Sequence, residues 1–223
     1  AAAPSKPGKV LAGAKYTVLD TRTDNFDYSR AKANGEDAIT ANPDLGCMVG
    51  LFAYNAPACL EAIKGAGKTG QIKIVSFDEQ DAVLQGIIDG SVHGTVSQQP
   101  YLYGYHSVRI LKALAAGDNS VLPKDKFVEV PIVEVRQANA KEFWTNLKKL
   151  QAGGQPASGG EAKGKVKLAY VTNGIDPFWN NAAAGVRAAE KEFGVSCDVL
   201  MPPKGIIDQK RMIETLLAQG IDG

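Results

Sequence analysis

The chain has 223 residues, 44% hydrophobic and 22% charged, an ordinary globular balance with room for one large domain or two small lobes. A formal net charge of +1 gives no electrostatic case for nucleic acid or an acidic surface as partner. No stretch approaches the roughly 20 apolar residues of a membrane span, and Cys47, Cys59 and Cys197 fit no metal spacing.

Residues 1–14, AAAPSKPGKVLAGA, combine small residues with Pro, Gly and Lys and read as a weakly held arm without the layout of a secretory signal. The first expected strand is YTVLD, Tyr16–Asp20. A helix from Asp27 to Ala41 follows the turn TRTDN, with Asp27 as N-cap and Tyr28, Ala31, Ala38 and Ile39 on its apolar side. Three short strands come next, at Cys47–Phe52, Ile72–Phe77 and Gly94–Gln98. Each is followed by a helical pattern: Ala56–Ala66, Glu79–Asp89 and Leu102–Ala116. This alternation indicates βαβ units and a parallel sheet.

The strands run out at polar or aromatic residues: Tyr54-Asn55, Asp78-Glu79 and Gln98-Gln99. Parallel strands point one way, so their carboxyl ends open on one edge, where open α/β sheets bind ligands. An amide, a carboxylate and a second amide on that edge would form a hydrogen-bonding wall for a small polar solute.

Farther along, FVEVPIVEV (Phe127–Val135) carries a proline that marks an edge or crossing strand. A helix over Ala140–Leu150 sets Phe143, Trp144 and Leu147 on one side. Gln151–Lys165, QAGGQPASGGEAKGK, has no apolar residue larger than alanine and reads as a flexible linker. The α/β pattern then restarts: strand Val166–Thr172, helix Trp179–Phe193, strand Val195–Met201, helix Asp208–Gln219. A third apolar strand is expected where the sequence reads Ile221-Asp222-Gly223.

Several motifs carry no chemistry on this reading. AIKGAGKT, Ala62–Thr69, is similar to a phosphate loop, but a helix enters it and a strand leaves, so a negative helix end would face the phosphates. No G-x-G-x-x-G follows a strand, and no nucleophile elbow is present, so neither a cofactor nor a catalytic centre is expected. Asp20, Asp24 and Asp27 lack calcium-loop spacing and read as turn and cap carboxylates. Cys47 and Cys197 read as small hydrophobes, and His93 and His106 as solvent or turn residues. VTNGIDPFWNN, Val171–Asn181, is more informative: Phe178 and Trp179 stand at a strand-to-helix turn beside Asn173 and Asp176. Rings there suit either a core or the C–H faces of a sugar, whose hydroxyls Asn and Asp bind edge-on. Phe26 offers a third ring.

Taken together, these segments resemble the periplasmic sugar-binding proteins of ABC transporters, of the ribose-binding type. VTNGIDPFW is similar to that family's opening strand and aromatic pair, FAYNAP to a strand end with a ligand asparagine, VSFDE to one with a ligand aspartate, and TVSQQPYLYG to one with a glutamine. The resemblance implies two doubly wound α/β lobes closing on a monosaccharide. Asn173, Asp176, Phe178 and Trp179 would be contacts from one lobe, and Phe26, Asn55, Asp78 and Gln98 contacts from the other. It also implies no enzymatic activity, delivery to a membrane permease, and a periplasmic or lipid-anchored location.

The resemblance further implies an order reversed with respect to the family, as in a circular permutation, with the family's middle absent. On that reading residues 1–135 would correspond to most of the second lobe, 136–165 to its terminal helix and a Gly/Ser linker, and 166–223 to the opening β-α-β-α of the first lobe. The expectation is that a second polypeptide or an exchanged copy completes the fold, with a single hybrid sheet as the alternative. Other functional readings are the sugar-sensing core of a transcription regulator and a Rossmann-like enzyme domain.

Overall fold

The structure, a computed structural model, describes residues 11–12, 15–153 and 166–223. The arm at 1–10 and the linker at 154–165 lie outside the described residues. The first strand departs from expectation. β1 (Leu11–Ala12) and β2 (Thr17–Val18) form a separate antiparallel pair, and Tyr16–Asp20 contributes nothing to the main sheet. Thr17 and Val18 are exposed, so no apolar face holds them on a core.

Helix α1 (Tyr28–Ala41) starts at the expected cap: Asp27 is extended, and its side chain accepts the Arg30 N–H at 2.9 Å. Its Ala31 and Ile39 are buried, whereas Tyr28 is exposed and gives its hydroxyl to Glu61 at 2.8 Å. Next come β3 (Cys47–Val49), α2 (Asn55–Gly65), β4 (Lys73–Phe77), α3 (Asp81–Ile88), β5 (Gly94–Ser97) and α4 (Pro100–Ala115). After them, β6 (Val133–Val135) is the only strand in the expected Phe127–Val135 stretch, and α5 (Ala140–Gly153) runs three residues into the expected linker.

Strands β3, β4 and β5 are parallel neighbours, with Val49 opposite Val75 and Phe77 opposite Val96. β6 closes the far side antiparallel, as its proline-bearing segment suggested. Ile74, Ile63, Leu84, Ile87 and Val135 are almost wholly buried between this sheet and its helices.

The remainder is β7 (Lys167–Val171), α6 (Pro177–Phe193), β8 (Ser196–Leu200) and α7 (Ile206–Ala218). β7 and β8 pair in parallel as their own sheet, so the hybrid sheet is not formed. On the other side of β7, the Ala169 N–H reaches the Gly223 carbonyl and the Asp222 N–H reaches Lys167, each at 2.9 Å. The last residues thus begin the third-strand pairing.

The apolar side of α6 is not left open, because α4 covers it. A Cβ on Gly104 would collide with the Ala182 carbonyl, and one on Gly185 with that of Tyr101, so the two helix backbones touch. Val108 of α4 is buried in one cluster with Leu168, Val186, Ala189, Val195 and Cys197. This crossing lays the start of α6 against the carboxyl edge of the four-stranded sheet.

Candidate functional site

Beyond β3 the chain turns through Leu51–Tyr54 into α2, with Asn55 as the first helical residue. Beyond β4 stands Asp78, whose N–H bonds to the Val96 carbonyl at 2.9 Å. Beyond β5 come Gln98 and Gln99. The strands are parallel, so these ends share one edge. Asp78 (φ 69°) and Gln99 (φ 57°) are left-handed without being glycine, a conformation that costs of order 1–3 kcal/mol. Thr95 and Gln98 hold Asp78 there: the Thr95 hydroxyl donates to its carbonyl at 2.7 Å, and the Gln98 amide to its carboxylate at 2.9 Å.

Around Asn55 a second cluster forms. Asp24 accepts the Tyr54 hydroxyl at 2.6 Å and the Asn55 amide at 2.8 Å. Phe26, 72% exposed, meets Phe52 edge-on with ring centres 5.5 Å apart, and Phe52 stacks on Tyr54 at 6.2 Å. The third cluster opens α6. Asp176 caps it by accepting the Phe178 N–H at 2.8 Å. Phe178 stands perpendicular to Trp179 at 4.8 Å and faces Tyr103 of α4 at 6.2 Å. Asn173 is exposed, and its side-chain oxygen is taken by the Trp179 indole N–H at 2.8 Å. This bond ties Asn173 to the ring.

Electrostatics connect the clusters. Burial raises the Asp78 carboxyl, and the charge of Asp176 raises it further. The same Asp176 charge acts on Tyr54, whose hydroxyl is pushed up by burial and by Asp24. Asp176 is itself raised by burial. Glu79, next to Asp78, is pushed up to about 7, chiefly by burial. Its carboxylate accepts from Ser97 Oγ at 2.6 Å and from Asn181 Nδ2 of α6 at 3.3 Å. A cavity of about 330 Å³ lies here, lined by Ala53, Asp78, Glu79, Gln151, Phe178 and Asn181 among others. That volume falls within the range of about 300–1,000 Å³ for small-molecule sites.

The arrangement offers many acceptors, a few amide donors and flat rings, which is chemistry for a neutral, hydroxyl-rich molecule. Among the described residues no group of three His, Cys, Asp or Glu could hold a metal. The phosphate-loop lookalike keeps its reversed direction: α2 enters it, β4 leaves, and Lys68 donates to the Pro43 carbonyl at 2.8 Å.

Comparison with known proteins settles the family. The model of the periplasmic binding protein domain matches residues 8–119. The chain belongs to that family. This periplasmic binding protein domain is 26% identical over 122 residues to a D-ribose/D-allose-binding protein of Pseudomonas aeruginosa, covering 55% of the chain and 38% of the relative. It is 24% identical over 110 residues to the ribose import binding protein RbsB of Escherichia coli, covering 49% and 37%. Among solved structures, a Mycobacterium smegmatis protein in complex with β-D-fucofuranose is 28% identical with a TM-score of 0.50, covering 57% of this chain and 41% of that one. An Agrobacterium vitis ABC-transporter solute-binding protein bound to α-D-tagatopyranose shares the fold at 22% identity and a TM-score of 0.51, covering 56% and 40%. The chain spans about two-fifths of the length of these relatives.

Of the expected site residues, Asp78 and Phe178 line the cavity; Gln98 bonds to Asp78, Asp176 caps α6 just before them, Trp179 stands against Phe178, and Asn55 and Phe26 belong to the Asp24 cluster. Sequence reasoning placed Tyr54 and Glu79 at the strand ends without giving them a role in the site, left Asp24 as a turn carboxylate, and missed Tyr103 and Asn181. Tyr103 and Asn181 sit inside amphipathic helices, where nothing local separates a cleft-facing residue from a packed one.

Proposed function

We propose that this domain binds a monosaccharide reversibly, without chemical turnover, between the carboxyl edge of the β3–β5 sheet and the start of α6. The observation that carries this reading is Asp78. It is a buried carboxylate in a left-handed conformation, bonded to Gln98 and facing the charge of Asp176, beside the Phe178 ring. Asp78, Asp176, Asn55 and Gln98 would bind hydroxyls, and Phe178, Trp179 and Phe26 would cover the apolar faces of the sugar ring. Enclosure between two walls gives affinity, because several hydroxyls are bonded at once where water is excluded.

The relatives' names favour a pentose or hexose and a role in import with an ABC transporter; delivery to its permease, in the periplasm or anchored at the bacterial surface, is the role the family resemblance implies. Residues 1–135 then act as most of one lobe, 136–165 as its terminal helix and tether, and 166–223 as the opening of the other lobe. A second polypeptide or an exchanged copy would add the remaining wall. Calorimetry with D-ribose, D-allose, D-fucose and D-tagatose tests the reading. Saturable 1:1 binding to at least one of them is expected, and no binding to any, by a folded chain, would overturn it.

A further inference from the structure

We propose that Asp24 is the positioning residue of this site, one carboxylate that fixes the amide of Asn55, the hydroxyl of Tyr54 and the backbone beneath Phe26. The proposal rests on the sugar-binding reading above. Asp24 Oδ1 accepts the Tyr54 hydroxyl at 2.6 Å and the Phe26 N–H at 3.0 Å, and Oδ2 accepts Asn55 Nδ2 at 2.8 Å. A carboxylate offers about four acceptor positions, so three are in use and Asp24 acts mainly through its neighbours.

Each bond has a consequence for the cleft. The two ends of an asparagine amide are nearly the same shape, and their partners decide which way it points. Here the Asn55 NH2 faces Asp24 while its oxygen accepts the Phe52 N–H at 3.0 Å. The amide is held in one orientation, leaving one N–H and one lone pair for a hydroxyl. Asn25 (φ 54°) and Phe26 (φ 61°) are both left-handed, which a bulky residue such as Phe adopts only when something compensates. The turn closed by Asp24 onto the Phe26 N–H supplies that compensation and brings Phe26 against Phe52. A carboxylate serving only as a turn former needs only that one bond. The bonds to Tyr54 and Asn55 span 30 and 31 residues of sequence and tie the turn to the start of α2.

The test uses the whole chain and the variants Asp24→Ala, Asn55→Ala and the double substitution. Without ligand, NMR of the Asn55 side-chain amide reports whether it is held. Amide signals shifted from free-asparagine positions, with slow solvent exchange and high order, are expected in the parent, and free-like shifts with faster exchange and lower order in Asp24→Ala, while signals unchanged in Asp24→Ala would overturn the proposal. With D-ribose as titrant, Asp24→Ala is expected to weaken binding about tenfold or more, the scale of a hydrogen bond to a charged group. In the double variant it should add less than about threefold to Asn55→Ala, because coupled residues are not additive. Fully additive losses would overturn it. Failure of the parent to bind any sugar of the panel refutes the sugar reading, while the amide signals still decide the role of Asp24. Should Asp24→Ala unfold, Asp24→Asn carries the same comparison: its NH2 would face that of Asn55, so the Asn55 signals must shift or broaden.

Discussion

Glu79 and Asn181 meet across 102 residues of sequence, the Asn181 Nδ2 donating to Glu79 Oε1 at 3.3 Å. Asn181 in turn accepts the Gln151 amide at 2.6 Å, and Glu79 accepts the Ser97 hydroxyl at 2.6 Å. One polar chain thus runs from β5, through the end of β4, to α6 and the last turn of α5. Glu79, Asn181 and Gln151 of this chain line the cavity. The helices α4 and α6 bring the two halves close, and this chain sets their register at the site.

The first prediction concerns pH. Burial lifts Glu79 from its ordinary 4.5 to about 7, with a smaller push from Asp78, so the folded chain holds this proton more tightly than the unfolded one. The associated stability is fully present below about pH 4.5 and is lost as pH rises through about 7. Its full size is about 3 kcal/mol, since each tenfold gain in proton affinity is worth roughly 1.36 kcal/mol. Asp78 and Asp176 are raised as well and act with the same sign. Denaturant melts should show the chain more stable at pH 5 than at pH 8, and Glu79→Gln should flatten most of that slope. An undiminished slope in Glu79→Gln would assign the effect elsewhere.

The second prediction separates binding from folding at Asp78. Asp78→Asn keeps a residue type that tolerates a left-handed backbone, and it removes a buried charge that faces Asp176. Sugar affinity should fall by about 1.5–3 kcal/mol, the range for hydrogen bonds to charged groups. Thermal stability should be equal or higher. Calorimetry and a melt on the same sample check both, and undiminished affinity would remove Asp78 from the site.

The sequence made the order of elements legible, because parallel βαβ units announce themselves through periodicity. Asp27 as a cap follows from local rules and stands as expected. What stayed hidden depends on distant contacts. Tyr16–Asp20 has strand-forming residues, yet only two of them pair, and with a partner no pattern links to them. Gly104 and Gly185 look like weak spots in two amphipathic helices, and only the crossing shows that their missing side chains are what permits it. Glu79 read as a strand-end residue opening a helix, with nothing local to show that it is buried. Its burial comes from α6, more than 100 residues away.

A third prediction follows from surfaces that remain apolar. Ile206, Ile207 and Leu217 of α7 are 78%, 70% and 68% exposed, and Val49 beside the open edge of β3 is 57% exposed. Unpaired strand edges and apolar helix faces recruit partners. Light scattering of the purified chain should therefore show concentration-dependent association, reduced by Ile207→Lys with Leu217→Lys. A single 23.6 kDa species at every concentration would show that these surfaces are tolerated in water.

The last prediction sets two glycines against each other. Gly185 has ordinary helical backbone, so intrinsic propensity alone says that Gly185→Ala should stabilise α6 by roughly 1 kcal/mol. Geometry says the opposite. The added methyl would overlap the Tyr101 carbonyl and come within 3.0 Å of the Tyr105 amide nitrogen, both backbone atoms of a packed helix that cannot swing aside. The helices must separate, which loosens Val108, Val186 and Ala189 in their shared core. Overpacking of this kind costs about 1–3 kcal/mol, so the net effect should be destabilising, and protease sensitivity should rise first in 166–223. Gly65 is the control. It closes α2, a Cβ there meets nothing within 4 Å, and its φ is not positive. Gly65→Ala should stabilise by about 0.4–1 kcal/mol through the unfolded chain. Urea melts of the two variants should move in opposite directions, and a stabilised Gly185→Ala would mean that α4 and α6 do not touch as described.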